Sequence, residues 1–140
     1  VTAESCTGGF VAQILTSIPG SSAWFERGFV TYSNAAKQEM LGVPASLIQQ
    51  YGAVSEQVAQ AMAAGALKHS QANVSLAITG IAGPDGGSVE KPVGLVWFGW
   101  QAEGLKQVTQ HCHFMGDRTS IREQAVCYSL SQLASFLNSF

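Results

Sequence analysis

The amino-acid sequence predicts an α/β fold, a three-layer sandwich in which a mixed β-sheet is flanked by helices. Three observations carry that prediction. Short apolar runs alternate with helical patterns through the first part of the chain, the order that builds parallel strands. An antiparallel pair follows later, Pro92–Trp100 and Leu105–Phe114, turned at Glu103-Gly104. The 140 residues are the size of one domain and long enough to bury a core without disulfide staples.

Taken in order, Val1–Ala3 reads as the end of a strand, so the natural protein is expected to continue upstream of Val1. An apolar helical pattern follows from Thr7 to Ile18 and stops at Pro19-Gly20. Trp24–Tyr32 is aromatic and β-branched, the composition of a strand. Ser33 or Asn34 can cap a helix over 35–41, closed by Gly42 with Pro44 beyond it, and 45–50 forms a further helical piece. Ser55 opens the next helix, with Val58, Met62 and Ala66 on an apolar stripe beside Ala59, Ala63 and Leu67. Val74–Ile78 is a buried strand. The glycine-rich stretch Thr79–Ser88 is too long for a tight hairpin, and loops of that kind in compact domains are commonly functional. Asp117 caps the final helix, whose buried face is expected to carry Ile121, Ala125, Tyr128, Leu133 and Leu137.

Composition narrows the function. Charged residues are 11% of the chain, against about a quarter in ordinary proteins, and so uncharged a surface favours a homo-oligomer. The net charge of −2 supplies no electrostatic footprint for nucleic acid or an acidic membrane. Cys6, Cys112 and Cys127 are odd in number and lack C-x-x-C spacing, which fits reduced thiols in a cytoplasmic protein rather than a disulfide framework or a zinc site. No stretch reaches the ~18 apolar residues of a membrane span.

The chemistry points to a strand-to-helix turn, Ala3-Glu4-Ser5-Cys6-Thr7-Gly8-Gly9. A hydroxyl at Ser5 is an N-cap, an anion ligand or a nucleophile whose oxyanion finds helix amides waiting. Lys37 lies in the first turn of its helix, where the dipole disfavours a cation; with partial burial this moves it toward a neutral amine, and Ser with Lys is a known nucleophile pair. A solvated surface lysine is the plain alternative. Tyr32 stands just ahead of that helix, where its phenol can orient Lys37 or relay a proton. Thr79 closes the buried strand, and its hydroxyl and the following amides can serve an oxyanion or hold a ligand amide. Ligands in open α/β sheets bind beyond the carboxyl ends of strands, so Ser5, Tyr32 and Thr79 converge if their strands are parallel. Arg118, at the mouth of the last helix, suits a phosphate. The glycine loop matches neither dinucleotide nor P-loop patterns. His111 and His113 share a strand face without a third metal ligand, and His69 reads as solvated.

Together these pieces resemble the C-terminal domain of the competence/damage-inducible CinA family, which includes stand-alone nicotinamide mononucleotide deamidases. The matching stretches are Thr2–Gly9, Pro19–Ser22, Arg27–Asn34 with Lys37, Gly52–Ser55, Thr79–Pro84, Glu90–Gly94 and Gly116–Arg118, in order along nearly the whole chain. The resemblance implies a single domain over 1–140, without the molybdopterin-binding-like domain of larger relatives. It implies hydrolysis of nicotinamide mononucleotide to nicotinate mononucleotide and ammonia, with no metal or cofactor, in a dimer or higher oligomer. Ser5, Lys37, Tyr32 and Thr79 would be catalytic; Thr7, Gly8, Asn34, Gly80, Gly83 and Arg118 would bind the nucleotide. The competing class is a non-catalytic nucleotide-binding or assembly module.

Overall fold

A computed structural model describes residues 1–140 and shows a five-stranded mixed sheet between two helical layers. The strands are β1 (Thr2–Glu4), β2 (Gly28–Val30), β3 (Val74–Gly80), β4 (Leu95–Ala102) and β5 (Val108–His113), ordered β2-β1-β3-β4-β5. Pairings β1–β2 and β1–β3 are parallel, and β3–β4 and β4–β5 antiparallel. The helices are α1 (Phe10–Thr16), α2 (Asn34–Leu41), α3 (Ala45–Tyr51), α4 (Glu56–Lys68) and α5 (Arg118–Leu137), with a 3₁₀ turn at Ser21–Ala23. None of the helices is long and apolar enough to cross a membrane.

The two layers follow from the alternation of side chains along a strand. Leu76 and Ile78 of β3 face a core shared with Val11 of α1 and Ile121 and Ala125 of α5. Ala77, between them, faces the opposite core with Leu41 of α2, Ile48 of α3 and Val58, Met62 and Ala66 of α4. The second layer is tight because α4 carries Gly65: a Cβ there would lie 2.0 Å from the Leu41 carbonyl oxygen, so a side chain at Gly65 would push α2 away. On the other side Trp100 buries its ring and donates its indole N–H to the Ser129 carbonyl at 3.1 Å, fixing α5 to the sheet.

The expected caps form. Ser33, Ser55 and Asp117 accept from the amides of Ala36, Val58 and Ser120, and Gly42 closes α2 at φ +68°. Three expectations are corrected. The first helix begins at Phe10 and not Thr7, because Gly8 and Gly9 take φ +60° and +103°, which end any helical run. The strand expected over Trp24–Tyr32 is only Gly28–Val30, since its one partner, β1, is three residues long. On α5 the fully buried positions are Ile121, Ala125, Val126, Ser129 and Phe136, while Tyr128 and Leu133 are half-buried and Leu137 is exposed. The apolar face rotates toward the Phe98–Trp100 pair of β4.

Candidate active site

Three parallel strands end on one edge of the sheet. Glu4 pairs with Val30 on one side and Ile78 on the other, so Ser5, Thr31-Tyr32 and Thr79 leave their strands side by side. They surround a cavity of about 230 Å³. Of the residues expected at the site, Ser5, Tyr32, Asn34, Lys37, Thr79, Gly80 and Arg118 line it. Thr7, Gly8 and Gly83 do not.

Lys37 reaches this cavity from the first turn of α2. Its side chain is 1% exposed, and its Nζ lies 2.9 Å from Ser5 Oγ, 3.0 Å from the Thr31 carbonyl and 3.2 Å from the Tyr32 carbonyl. No carboxylate pairs with it; the molecule's ion pair is Arg27–Glu26 on the surface. Burial holds its pKa below the ordinary lysine value, against a small opposing effect of Cys6. The geometry suits the neutral amine. An ammonium would donate to Ser5 Oγ and both carbonyls; once deprotonated, the –NH₂ group keeps two N–H donors for the two carbonyls and turns its lone pair to the Ser5 hydroxyl proton.

Ser5 and Cys6 are chain neighbours with opposite fates. Ser5 turns to Lys37, whereas Cys6 packs in the core and burial pushes its thiol up to about 11, out of reach as a nucleophile at neutral pH. The turn Ser5–Gly9 differs from the expected helix terminus. The free amides at the start of α1 are already taken: the buried Glu4 carboxylate accepts from Val11 at 2.8 Å and Ala12 at 3.1 Å. The Gly8 amide, expected to serve an oxyanion, donates to the Ser5 carbonyl at 3.0 Å. The amides of Cys6 and Thr7 are the ones beside Ser5 without an acceptor in the protein. Thr7 Oγ1 is fully buried and also unpartnered.

Two other side chains act through different atoms than expected. The Tyr32 phenol is 61% exposed and accepts from Arg118 Nη2 at 3.1 Å, so it is the Tyr32 carbonyl that positions Lys37. Thr79 Oγ1 donates its proton to the Ala53 carbonyl at 2.8 Å, which leaves lone pairs facing the site and no donor for an oxyanion. Arg118 also donates to the Gly83 carbonyl at 2.7 Å and so joins the glycine-rich loop to the Tyr32 phenol across the cavity mouth. Sequence reasoning missed Glu4 and the Thr31 carbonyl. For Glu4 there was a signal, an acid just ahead of a helix start. Thr31 contributes through a backbone carbonyl that no local pattern marks. His111 stacks near Trp97 and His113 lies 3.1 Å from the Val93 carbonyl; no cluster of three metal-ligating side chains is present.

The sequence and the fold have close counterparts among known proteins. The CinA C-terminal domain matches residues 1–137. The nicotinamide-nucleotide amidohydrolase PncC of Escherichia coli (strain K12) is 57% identical over 132 residues, covering 94% of this chain and 80% of that protein. The protein of the same name from Enterobacter agglomerans is 59% identical over 128 residues, covering 91% of this chain and 78% of that protein. The crystal structure of the competence/damage inducible protein CihA from Agrobacterium tumefaciens superposes with a TM-score of 0.94 at 50% identity, covering 96% of this chain and 82% of that one.

Proposed function

This chain belongs to the CinA C-terminal domain family, and from that premise we propose that Ser5 and Lys37 carry out amide hydrolysis on a nicotinamide nucleotide. The reaction takes nicotinamide mononucleotide to nicotinate mononucleotide and ammonia, a step of pyridine-nucleotide recycling. The observation that carries the assignment of residues is the buried, carboxylate-free Lys37 with its Nζ 2.9 Å from Ser5 Oγ.

The Ser5 proton passes to the Lys37 lone pair as Oγ forms a bond to the carboxamide carbon. The carbonyl π electrons move to oxygen, and the oxyanion is met by the free amide of Cys6, the residue after Ser5 in the cavity lining; one such donor is typically worth ~3 kcal/mol. When the C–N bond breaks, the nitrogen takes the proton from Lys37 and leaves as ammonia. A water then attacks the Ser5 ester, giving its proton to the regenerated amine, and Ser5 recovers that proton as the acid departs. Thr79 Oγ1, with its proton held by Ala53, accepts from the carboxamide –NH₂ and orients it. The cavity of about 230 Å³ is below the ~300–1,000 Å³ of pockets that enclose a drug-sized ligand. It takes the base end and leaves the phosphate at the mouth, beside Arg118 and Asn34. A homo-oligomer formed in the cytoplasm belongs to this reading, supported by exposed Trp24, Val89 and Met115 and by three free thiols.

Ammonia release from nicotinamide mononucleotide tests it. The wild-type protein is expected to turn over and Ser5→Ala to lose more than about a thousandfold in rate while keeping its melting temperature. Full activity in Ser5→Ala removes the nucleophile assignment, and nucleotide binding without ammonia from the wild type turns the reading to a binding module.

A further inference from the structure

Arg122 lies outside the cavity, one helical turn beyond Arg118 on α5, and the reaction as described makes no use of it. Its guanidinium is nonetheless committed to the nucleophile's turn. Nε donates to the Cys6 carbonyl at 3.1 Å and Nη2 to the Thr7 carbonyl at 3.0 Å, bridging two successive peptide units. Its Cζ stands 5.9 Å from the centre of the Phe10 ring, at the start of α1. These contacts join residues 116 and 115 positions apart.

The peptide geometry gives this clamp a consequence. In a trans peptide the N–H points away from its own carbonyl. A guanidinium on the Cys6 carbonyl therefore turns the Thr7 N–H away from α5. The Ser5 carbonyl is likewise held, by the Gly8 amide, which sets the Cys6 N–H, and the Gly8 peptide is itself held by Arg122 at the Thr7 carbonyl. Every carbonyl from Ser5 to Thr7 thus has a donor; the amides left over are those of Cys6, Thr7 and Gly9, and of these three residues only Cys6 lines the cavity. A cationic donor on a carbonyl also polarises its peptide and strengthens the N–H on the far side. Glycines at 8 and 9, both at positive φ, let the turn close on itself through the Gly8 amide on the Ser5 carbonyl and the Phe10 amide on the Thr7 carbonyl, and the Cys6 carbonyl between them is held by Arg122 alone.

We propose that Arg122 is a positioning residue for the hydrolysis: by gripping the Cys6 and Thr7 carbonyls from α5 it holds the turn and, through the Thr7 carbonyl, the Gly8 amide and the Ser5 carbonyl in series, aims and polarises the Cys6 amide that receives the oxyanion. This rests on the serine-amidase reading above. The stabilisation is needed in the transition state and not for substrate binding, so the effect falls on kcat.

Two variants test it, alongside wild type and Ser5→Ala. Arg122→Met keeps the apolar stem over Phe10, and Arg122→Lys keeps the charge without the two-pronged fork. Both are expected to lose about ten- to a hundredfold in kcat, less than removal of an oxyanion donor. KM stays within about twofold, and the acid limb of the pH–rate profile set by Lys37 does not move. Should Arg122→Met fail to fold, Arg122→Lys decides alone. Wild-type kcat in a folded variant overturns the proposal, as does a loss carried by KM or by a shift of the acid limb. If Ser5→Ala is itself fully active, the serine reading falls first, independently of what Arg122 does.

Discussion

The two halves of the sheet do different work. In the parallel half, β2-β1-β3, two of the strands are only three residues long, yet the strand ends bring Ser5, Tyr32 and Thr79 to one edge. In the antiparallel half, β4 and β5 run 8 and 6 residues and supply the aromatic core of Phe98 and Trp100. Direction explains the division. Parallel strands all exit at the same edge, so the residues after them meet; antiparallel strands exit alternately and their turns scatter. The opposite edge of the sheet makes the same point. A larger cavity of about 830 Å³ opens there, lined by Trp24, Phe25, Leu133 and Leu137 among others, and its walls contain no lysine, histidine or cysteine. The proposed Ser5–Lys37 pair sits at the smaller cavity, where strand polarity gathers it.

That contrast can be broken most directly at Lys37. Lys37→Met is expected to lose roughly a thousandfold in kcat/KM, about 4 kcal/mol of transition-state stabilisation, within the range for removal of a general base. Steady-state ammonia release measures it, and activity near wild type would dissolve the distinction between the halves. Phe98→Ala is the reverse experiment. It should cost about 3–5 kcal/mol of stability in a denaturant titration, by loss of a fully buried ring, while kcat per folded molecule stays within about twofold. A selective fall in kcat at unchanged stability would mean that the antiparallel half shapes the site directly.

The finest test is the pH dependence of stability. Because burial lowers the pKa of Lys37, the unfolded chain holds a proton that the folded chain has released, over the interval between the lowered value and the ordinary 10.5. Stability contributed by this residue therefore rises with pH across that interval, reaches its full value above 10.5 and is lost as pH falls through the folded pKa. Melting curves of wild type and Lys37→Met should diverge in slope there and run parallel below it. Equal slopes would mean that Lys37 is charged in the folded protein, and its role as a base would go with them.

Much of this was legible in the residues because it is local. Ser33, Ser55 and Asp117 cap helices through amides three positions away, and Gly42 ends α2 by its own backbone freedom. The buried strand at Val74 and the hairpin after Pro92 follow from β-branched and aromatic runs. Ser5 and Lys37 stood out because their positions relative to helix starts are also local. Less legible were the first helix's start and the short β2, which depend on glycine φ values and on the length of a partner strand.

Residue chemistry and spacing by themselves determined most of the elements, their caps and which two side chains were candidates for nucleophile and base, and the matching stretches carried the resemblance to the family. Tertiary structure alone decided that β1 pairs in parallel on both sides, that Lys37 is buried against carbonyls rather than solvated, and that Glu4 rather than a reaction intermediate occupies the start of α1. It also decided that Tyr32 acts on the lysine through its carbonyl, and that Arg122 grips the turn behind Ser5. The physical reason is the reach of the interactions. A cap or a glycine turn is settled within a few residues, whereas the desolvation of an amine and the aim of a peptide group are set by atoms that only the closed fold brings within 3 Å or so of one another.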